Sequence, residues 1–265
     1  MGFATLIWPA GLVVSGAVIG FLVGMTGVGA GSLTTPLLIS VFGVPAPVAV
    51  GTDLLFAAIT KSTAAWRYQK HKSIDWTVLR WLASGSLPGA VATLAWLHWA
   101  HPDTAMLSAF IRKALGIILI FSAIANAAYP WLIRERIKDG ADVPAPLERR
   151  RATFLLGILL GVMVVLTSVG AGAIGVAALM LLYPALSARR LVGTDVVHAI
   201  PLAAVAGIGH LGLGSIDLRV LGLLLLGSVP GIALGARVTG TAPDWMVRWT
   251  LAFVLLVAAF MLLMK

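Results

Sequence analysis

The stretch Val50-Gly-Thr-Asp-Leu-Leu55 returns as Val192-Gly-Thr-Asp-Val-Val197, each time inside a long apolar run. Sliding the chain against itself by about 141–142 residues aligns these stretches and three more blocks in the same order. Val28-Gly-Ala-Gly31 falls on Val169-Gly-Ala-Gly172, Ser73-Ile-Asp75 on Ser215-Ile-Asp217, and Gly85-Ser-Leu-Pro-Gly89 on Gly227-Ser-Val-Pro-Gly231. Four matched blocks in one order describe two homologous halves, residues 1–133 and 152–265, joined by the polar stretch 134–151.

Composition places the chain in a membrane. Of its 265 residues 60% are hydrophobic and 11% charged. Apolar runs long enough to cross a hydrocarbon core recur at 9–28, 47–66, 81–100, 106–128, 152–169, 191–211, 218–238 and 245–264. Strand alternation is absent, so the spans are helices and the fold class is an all-α integral membrane protein. Met1 to Pro9 carries no Lys or Arg, and a cleaved signal peptide is not expected. The absence of cysteine excludes disulfides, thiolate metal sites and a cysteine nucleophile.

The net charge of +9 lies between the spans rather than along one face, so it reads as positive-inside topology and not as a nucleic-acid surface. Trp66, Trp76, Trp81, Trp99, Trp131 and Trp245 fall near span ends, as an interfacial belt requires. The loop near 67–80 carries Arg67, Lys70, Lys72 and Arg80, whereas its counterpart near 209–222 carries only Arg219. Conversely, Arg189 and Arg190 precede the second Gly-Thr-Asp run, while the corresponding turn Phe42 to Pro47 is uncharged. Basic loops at alternate positions in the two halves predict inverted-topology repeats. The linker, with Arg134, Arg136, Lys138 and Arg149 to Arg151, is then cytoplasmic and both chain ends lie outside.

Inversion needs an odd number of crossings per half. The segments Ser32–Phe42 and Ala173–Pro184 are short for full spans, so each half reads as a helical hairpin with a glycine-rich tip followed by three longer helices. Gly27-Val-Gly-Ala-Gly31 lacks the spacing of a dinucleotide fingerprint. Its glycines can instead break a helix and present the amides of the next one, at Ser32-Leu-Thr-Thr-Pro36, to an anion. Gly16, Gly20 and Gly24, four apart, read as close helix packing.

Asp53, Lys61, Asp195, His198 and His210 are the ionisable residues inside spans, and each must face protein or a polar cavity. Asp195 and His198 share a helix face, whereas Asp53 and Lys61, on one helix, are about 12 Å apart along its axis. Lys61 either faces a cavity or snorkels toward the interface beside Trp66. His210 reads as structural. No metal-ligand spacing and no nucleophile motif is present, so neither metal, cofactor nor enzymatic activity is expected.

These residues carry a family resemblance. The pattern Gly27-x-Gly-x-Gly31 with Pro36-x-Leu38, Gly51-Thr52, Ser73-Ile-Asp75-Trp76, Gly85-Ser86 with Gly89, and their echoes, resembles the TauE/SafE sulfite exporter family, also called the toluene sulfonate uptake permease family. The resemblance implies a bacterial inner-membrane transporter of small sulfur-containing anions such as sulfite or sulfoacetate, with lipid as its surroundings and homo-oligomers left open. The expected substrate-binding residues are Gly29, Gly31, Ser32, Thr52, Lys61, Gly170, Gly172 and Thr194. Asp53, Asp195 and His198 are the candidates for proton or cation coupling. An alternative is uptake of an organic sulfonate or carboxylate coupled to H+ or Na+. Many relatives carry Gly-Thr-Ser where this chain has Gly-Thr-Asp, so each aspartate is read two ways: as a cap where a long helix restarts, or as a titratable group beside the substrate path.

Overall fold

The computed structural model describes residues 2–26, 31–70, 74–136, 149–238 and 244–264. Among them are ten α-helices and no strands: α1 (Gly2–Thr26), α2 (Gly31–Ser40), α3 (Ala46–Lys70), α4 (Trp76–Ala100), α5 (Thr104–Arg136), α6 (Arg150–Thr167), α7 (Ala173–Leu182), α8 (Ala188–Gly212), α9 (Leu218–Arg237) and α10 (Asp244–Leu263). Among the described residues every apolar run named above overlaps a helix. Five, at Trp8–Met25, Thr104–Ala128, Arg150–Thr167, Ala188–Gly212 and Leu218–Arg237, are long and apolar enough to cross a membrane. The outer faces agree, since Phe110, Ile117, Phe121 and Ile124 on α5 and Leu155 and Leu159 on α6 are all more than half exposed. Trp76 and Trp99, at the two ends of α4, are exposed as a belt requires; the side chains of Trp66, Trp131 and Trp245 lie outside the described ones. At ten residues each, α2 and α7 are about 15 Å long, roughly half of a hydrocarbon core.

The helices of the two sequence halves interleave. α1 packs along α9 and α4 along α6, each pair joining opposite halves, while α3 packs on α8 and α5 on α10. The glycines explain the first two pairs. A Cβ on Gly16, Gly20 or Gly24 would collide with the carbonyl oxygen of Leu224, Ser228 or Ile232, and one on Gly227, Gly231 or Gly235 with that of Val13, Ala17 or Phe21. Both numberings rise together, so α1 and α9 are parallel, backbone against backbone. The same holds for α4 and α6, where Gly85 and Gly89 meet Phe154 and Ile158 and Gly157 and Gly161 meet Leu82 and Ser86. In contrast Gly51 of α3 lies on His210 and Ser215, and Gly207 of α8 on Leu55, so α3 and α8 are antiparallel.

The Ser-Ile-Asp blocks are helix caps. Asp75 Oδ1 accepts the amides of Thr77 (3.0 Å) and Val78 (3.1 Å), opening α4, and Asp217 Oδ1 accepts those of Arg219 (2.9 Å) and Val220 (3.0 Å), opening α9. Each cap also ties its half to the other. The Asp75 amide donates to Thr194 Oγ1 (2.8 Å) and the Asp217 amide to Thr52 Oγ1 (3.0 Å). Arg190 adds an ion pair to Asp75 at 3.3 Å.

The glycine contacts give a direct test. Gly227→Ala forces a methyl into the Val13 carbonyl and is expected to cost about 1–3 kcal/mol. Gly222→Ala, on the same helix with nothing within 4 Å of the new carbon, is expected to leave stability unchanged or raise it. Melting of the two purified variants in detergent, compared with the parent, checks the difference; equal melting would refute close packing at Gly227.

Candidate functional site

The antiparallel pair α3 and α8 buries both Gly-Thr-Asp triplets. Asp53, Asp195 and His198 are wholly buried and Lys61 is only 7% exposed, so the snorkelling alternative for Lys61 does not hold. Neither aspartate caps a restarted helix. α3 and α8 run unbroken through the triplets, each aspartate being the eighth residue of its helix, and the capping expectation is corrected on that ground.

The two carboxylates live differently. Asp53 Oδ2 accepts two hydroxyls, from Thr35 of α2 at 2.6 Å and from Ser168 at 2.8 Å. Ser168 ends α6 in the left-handed region, at φ 59°, and reaches Asp53 from the other half of the chain. Asp195 has no such donors. Neither of its oxygens has a hydrogen-bond partner. Its Oδ1 lies against the first turn of α7, where a Cβ on Gly175 would overlap it, and the Gly172 amide acts on it from beyond hydrogen-bond geometry. Gly170 and Gly172, at φ 142° and 125°, hold backbone angles open only to glycine, and they deliver the start of α7 to this point.

Lys61 sits between the two. The charge of Asp195 acts on it most, then that of Asp53, yet neither carboxylate is within ion-pair distance; among the described residues the one ion pair is Arg190 with Asp75. Its field also reaches His198, whose Nε2 shares a hydrogen bond with Ser86 Oγ of α4 at 2.7 Å while Nδ1 has no partner. The result is a buried cation without a contact ion pair, in the field of carboxylates from both halves. His210 bonds the Val165 carbonyl at 2.9 Å and joins α8 to α6.

The structure therefore brings together Lys61, Asp53, Asp195, His198 and the segment Gly170 to Gly172. Thr52 and Thr194 lie one residue before the aspartates, but their hydroxyls are engaged in the ties between halves, and Thr194 spends its hydrogen on the Arg190 carbonyl at 2.7 Å. Gly29 lies outside the described residues, and Gly31 opens α2. Ser32 lines a separate cavity of about 10 Å³ with Leu22, Asn126 and Leu251, room for one water. Sequence reasoning missed Thr35, Ser168 and Ser86 as partners. Ser86 carried a signal, its place in a duplicated block; the contacts of Ser86 and Ser168 join residues 112 and 115 apart and carried none. Among the described residues no three His, Cys, Asp or Glu side chains could hold a metal ion.

Comparison with known proteins follows the same lines. Residues 12–262 match the family described as Sulfite exporter TauE/SafE. The chain is 35% identical to the probable membrane transporter protein YjnA of Bacillus subtilis (strain 168), covering 95% of this chain and 98% of that one. It is 24% identical to the probable membrane transporter protein YdhB of the same organism, covering 92% and 96%. With the probable membrane transporter protein MJ0441 of Methanocaldococcus jannaschii it shares 28% over 74% of this chain and 70% of the other. No solved structure matches the chain. The duplicated triplets, the buried charges they carry and a match over nearly the whole length lead to one assignment: the chain is an integral membrane protein that belongs to the TauE/SafE sulfite exporter family.

Proposed function

We propose that this membrane transporter exports sulfite or a small organosulfonate such as sulfoacetate across the bacterial inner membrane, by alternating access between two inverted repeats, residues 1–133 and 152–265. The observation that carries the reading is Lys61, a buried cation without a contact ion pair, set where α3 of one half meets α8 of the other. An oxyanion is the ligand such a cation lacks. The Gly172 amide at the start of α7 and Lys61 both act on Asp195, so a helix N-terminus of the kind that binds anions lies near the same carboxylate as the cation. The corresponding donors of the first half are Gly29, Gly31 and Ser32, and Thr52 and Thr194 position the triplets.

Inverted repeats are supported by helix direction. α1 parallel to α9, α4 parallel to α6 and α3 antiparallel to α8 fit halves that run in opposite senses. The linker 134–151 is then cytoplasmic and both chain ends are outside. An exported anion gains about 2.3 kcal/mol per negative charge per 100 mV of inside-negative potential, so export needs no coupled ion. The second reading, H+ or Na+ coupled uptake of an organic sulfonate or carboxylate, is favoured by one observation, the unpartnered carboxylate of Asp195.

Two experiments test the proposal. Thr77 and Arg219 occupy equivalent exposed places in the two halves, and the chain has no native cysteine. A membrane-impermeant thiol label is expected to reach Arg219→Cys from outside and Thr77→Cys only after the membrane is opened; labelling of both from one side would end the inverted-repeat reading.

Binding of sulfite, sulfate, thiosulfate, sulfoacetate and taurine to the purified protein identifies the ligand class. For an anion that binds, Lys61→Ala is expected to weaken affinity at least about tenfold, because water screens little of a buried charge, and Lys61→Arg to restore part of it. Unchanged affinity in the alanine variant would remove Lys61 from the site.

A further inference from the structure

Three features meet at the start of α7. Gly172 caps the helix, and the amides of Gly175 and Val176 are bonded to the carbonyls of Gly170 and Gly172 at 2.9 Å each, which leaves the amides of Ala173 and Ile174 to the open end. Asp195 is wholly buried, has no hydrogen bond to either oxygen, and presses Oδ1 against Gly175 in that first turn. Lys61 acts on the same carboxylate from beyond ion-pair distance. The negative group that faces the positive end of α7 is thus the protein's own carboxylate.

We propose that Asp195 is a tethered anion holding the substrate's seat at the α7 N-terminus, and that a substrate anion enters it together with one proton, which goes to Asp195. The proposal rests on the anion-transport reading and adds the stoichiometry of the same site. An oxyanion bound between Lys61 and α7 comes against Asp195, and two like charges in contact without water between them repel. A proton from solvent on a carboxylate oxygen removes the repulsion, with no bond in the anion made or broken. The site then holds Lys61 as cation, the substrate as anion and a neutral Asp195. A dianion such as sulfoacetate carried with one proton still moves one net negative charge, so outward movement remains driven by the membrane potential.

The first half identifies which aspartate does this. Asp53 is fixed by the hydroxyls of Thr35 and Ser168. The α7 residues that can correspond to Thr34 and Thr35, at an offset of 141 or 142, are Gly175, Val176 and Ala177, none of which has a hydroxyl to give Asp195. Of the elements packed on α8, α3 supplies Lys61 and Asp53 and carries Arg67 and Lys70 near its C-terminal end; α4 and α6 with their caps bring Asp75, Arg80, His98, Arg149, Arg150 and Arg151 near their ends; α7 brings no charge. On α8 itself His198 is the near titratable neighbour, with Arg189, Arg190 and His210 toward its ends.

The test is sulfoacetate binding to the full chain in lipid nanodiscs over about pH 6 to 8, where sulfoacetate stays a dianion; sulfite, which titrates within that range, is a second probe of binding alone and not of the proton count. The bound state holds a proton that the free state lacks, so wild-type affinity is expected to fall with rising pH, approaching tenfold per unit. Calorimetry in two buffers of different ionisation enthalpy is expected to count about one proton taken up per anion.

Asp195→Asn is neutral already. It is expected to bind at high pH as tightly as the wild type does at low pH, with a flat profile and no proton uptake, while Asp53→Asn and His198→Gln keep the slope. A wild-type proton count of zero overturns the proposal without any variant. So does an Asp195→Asn protein that keeps the slope or binds more weakly at every pH, or a slope that disappears in His198→Gln. Failure of wild type and variants alike to bind either anion would instead end the anion-transport reading beneath it.

Discussion

Backbone contact at glycine is the constraint on which the rest of this molecule depends. Between helices in lipid the hydrophobic effect gives little, because the tails are as apolar as the side chains, and association comes from close packing. Here Gly16, Gly20 and Gly24 interlock with Gly227, Gly231 and Gly235, and Gly85 and Gly89 with Gly157 and Gly161. Each set joins a helix of one half to a helix of the other. With these two pairs parallel, the loops require α3 and α8 to cross in opposite directions at the centre, and the two Gly-Thr-Asp triplets arrive from opposite ends. The buried charges are therefore a consequence of how the outer helices lock.

On that symmetric frame the chemistry is unequal. The ties are duplicated, Thr52 with the Asp217 amide and Thr194 with the Asp75 amide, because both halves must satisfy the same exposed cap amide. The site is not duplicated. Lys61 corresponds to Ala203 and His198 to Phe56, and the Thr34–Thr35 pair falls within Gly175–Ala177. One half supplies the cation and a carboxylate held through one oxygen by two hydroxyls, the other a carboxylate with neither oxygen bonded and the histidine that Ser86 holds. A duplicated scaffold fixes where groups stand, and divergence at a few positions decides which of them can change partner.

Much of this was legible in the residues, and the limits are physical. Span positions followed from runs of apolar residues. The packing role of Gly16, Gly20 and Gly24 followed from their spacing, since few other reasons put small residues every four positions on an apolar helix. Asp53, Asp195, Lys61 and His198 stood out because charge in lipid must have a purpose. The threonines did not resolve: a hydroxyl in an apolar helix reads alike as a substrate donor and as a tie, and only the distant cap amide distinguishes them. The capping reading of the aspartates failed for a related reason, since the residue type suits a cap but the helix around it never breaks.

The strength of the ties bears on how such a molecule can move. A hydrogen bond of this kind contributes about 0.5–1.5 kcal/mol net, so neither Thr52 nor Thr194 locks its end of the α3–α8 pair. They differ in one respect. Asp75 also carries the ion pair with Arg190, whereas the position corresponding to Arg190 in the first half is Val48, which leaves Asp217 without one. An ion pair whose arginine is 31% exposed adds up to about 1 kcal/mol. The glycine-locked pairs, by comparison, give up many van der Waals contacts together if they slide. The alternating access proposed above would on this frame ask for motion of the weakly tied α3–α8 pair against the glycine-locked pairs, and the difference in affinity that a ligand must supply to shift so weak a tie is small.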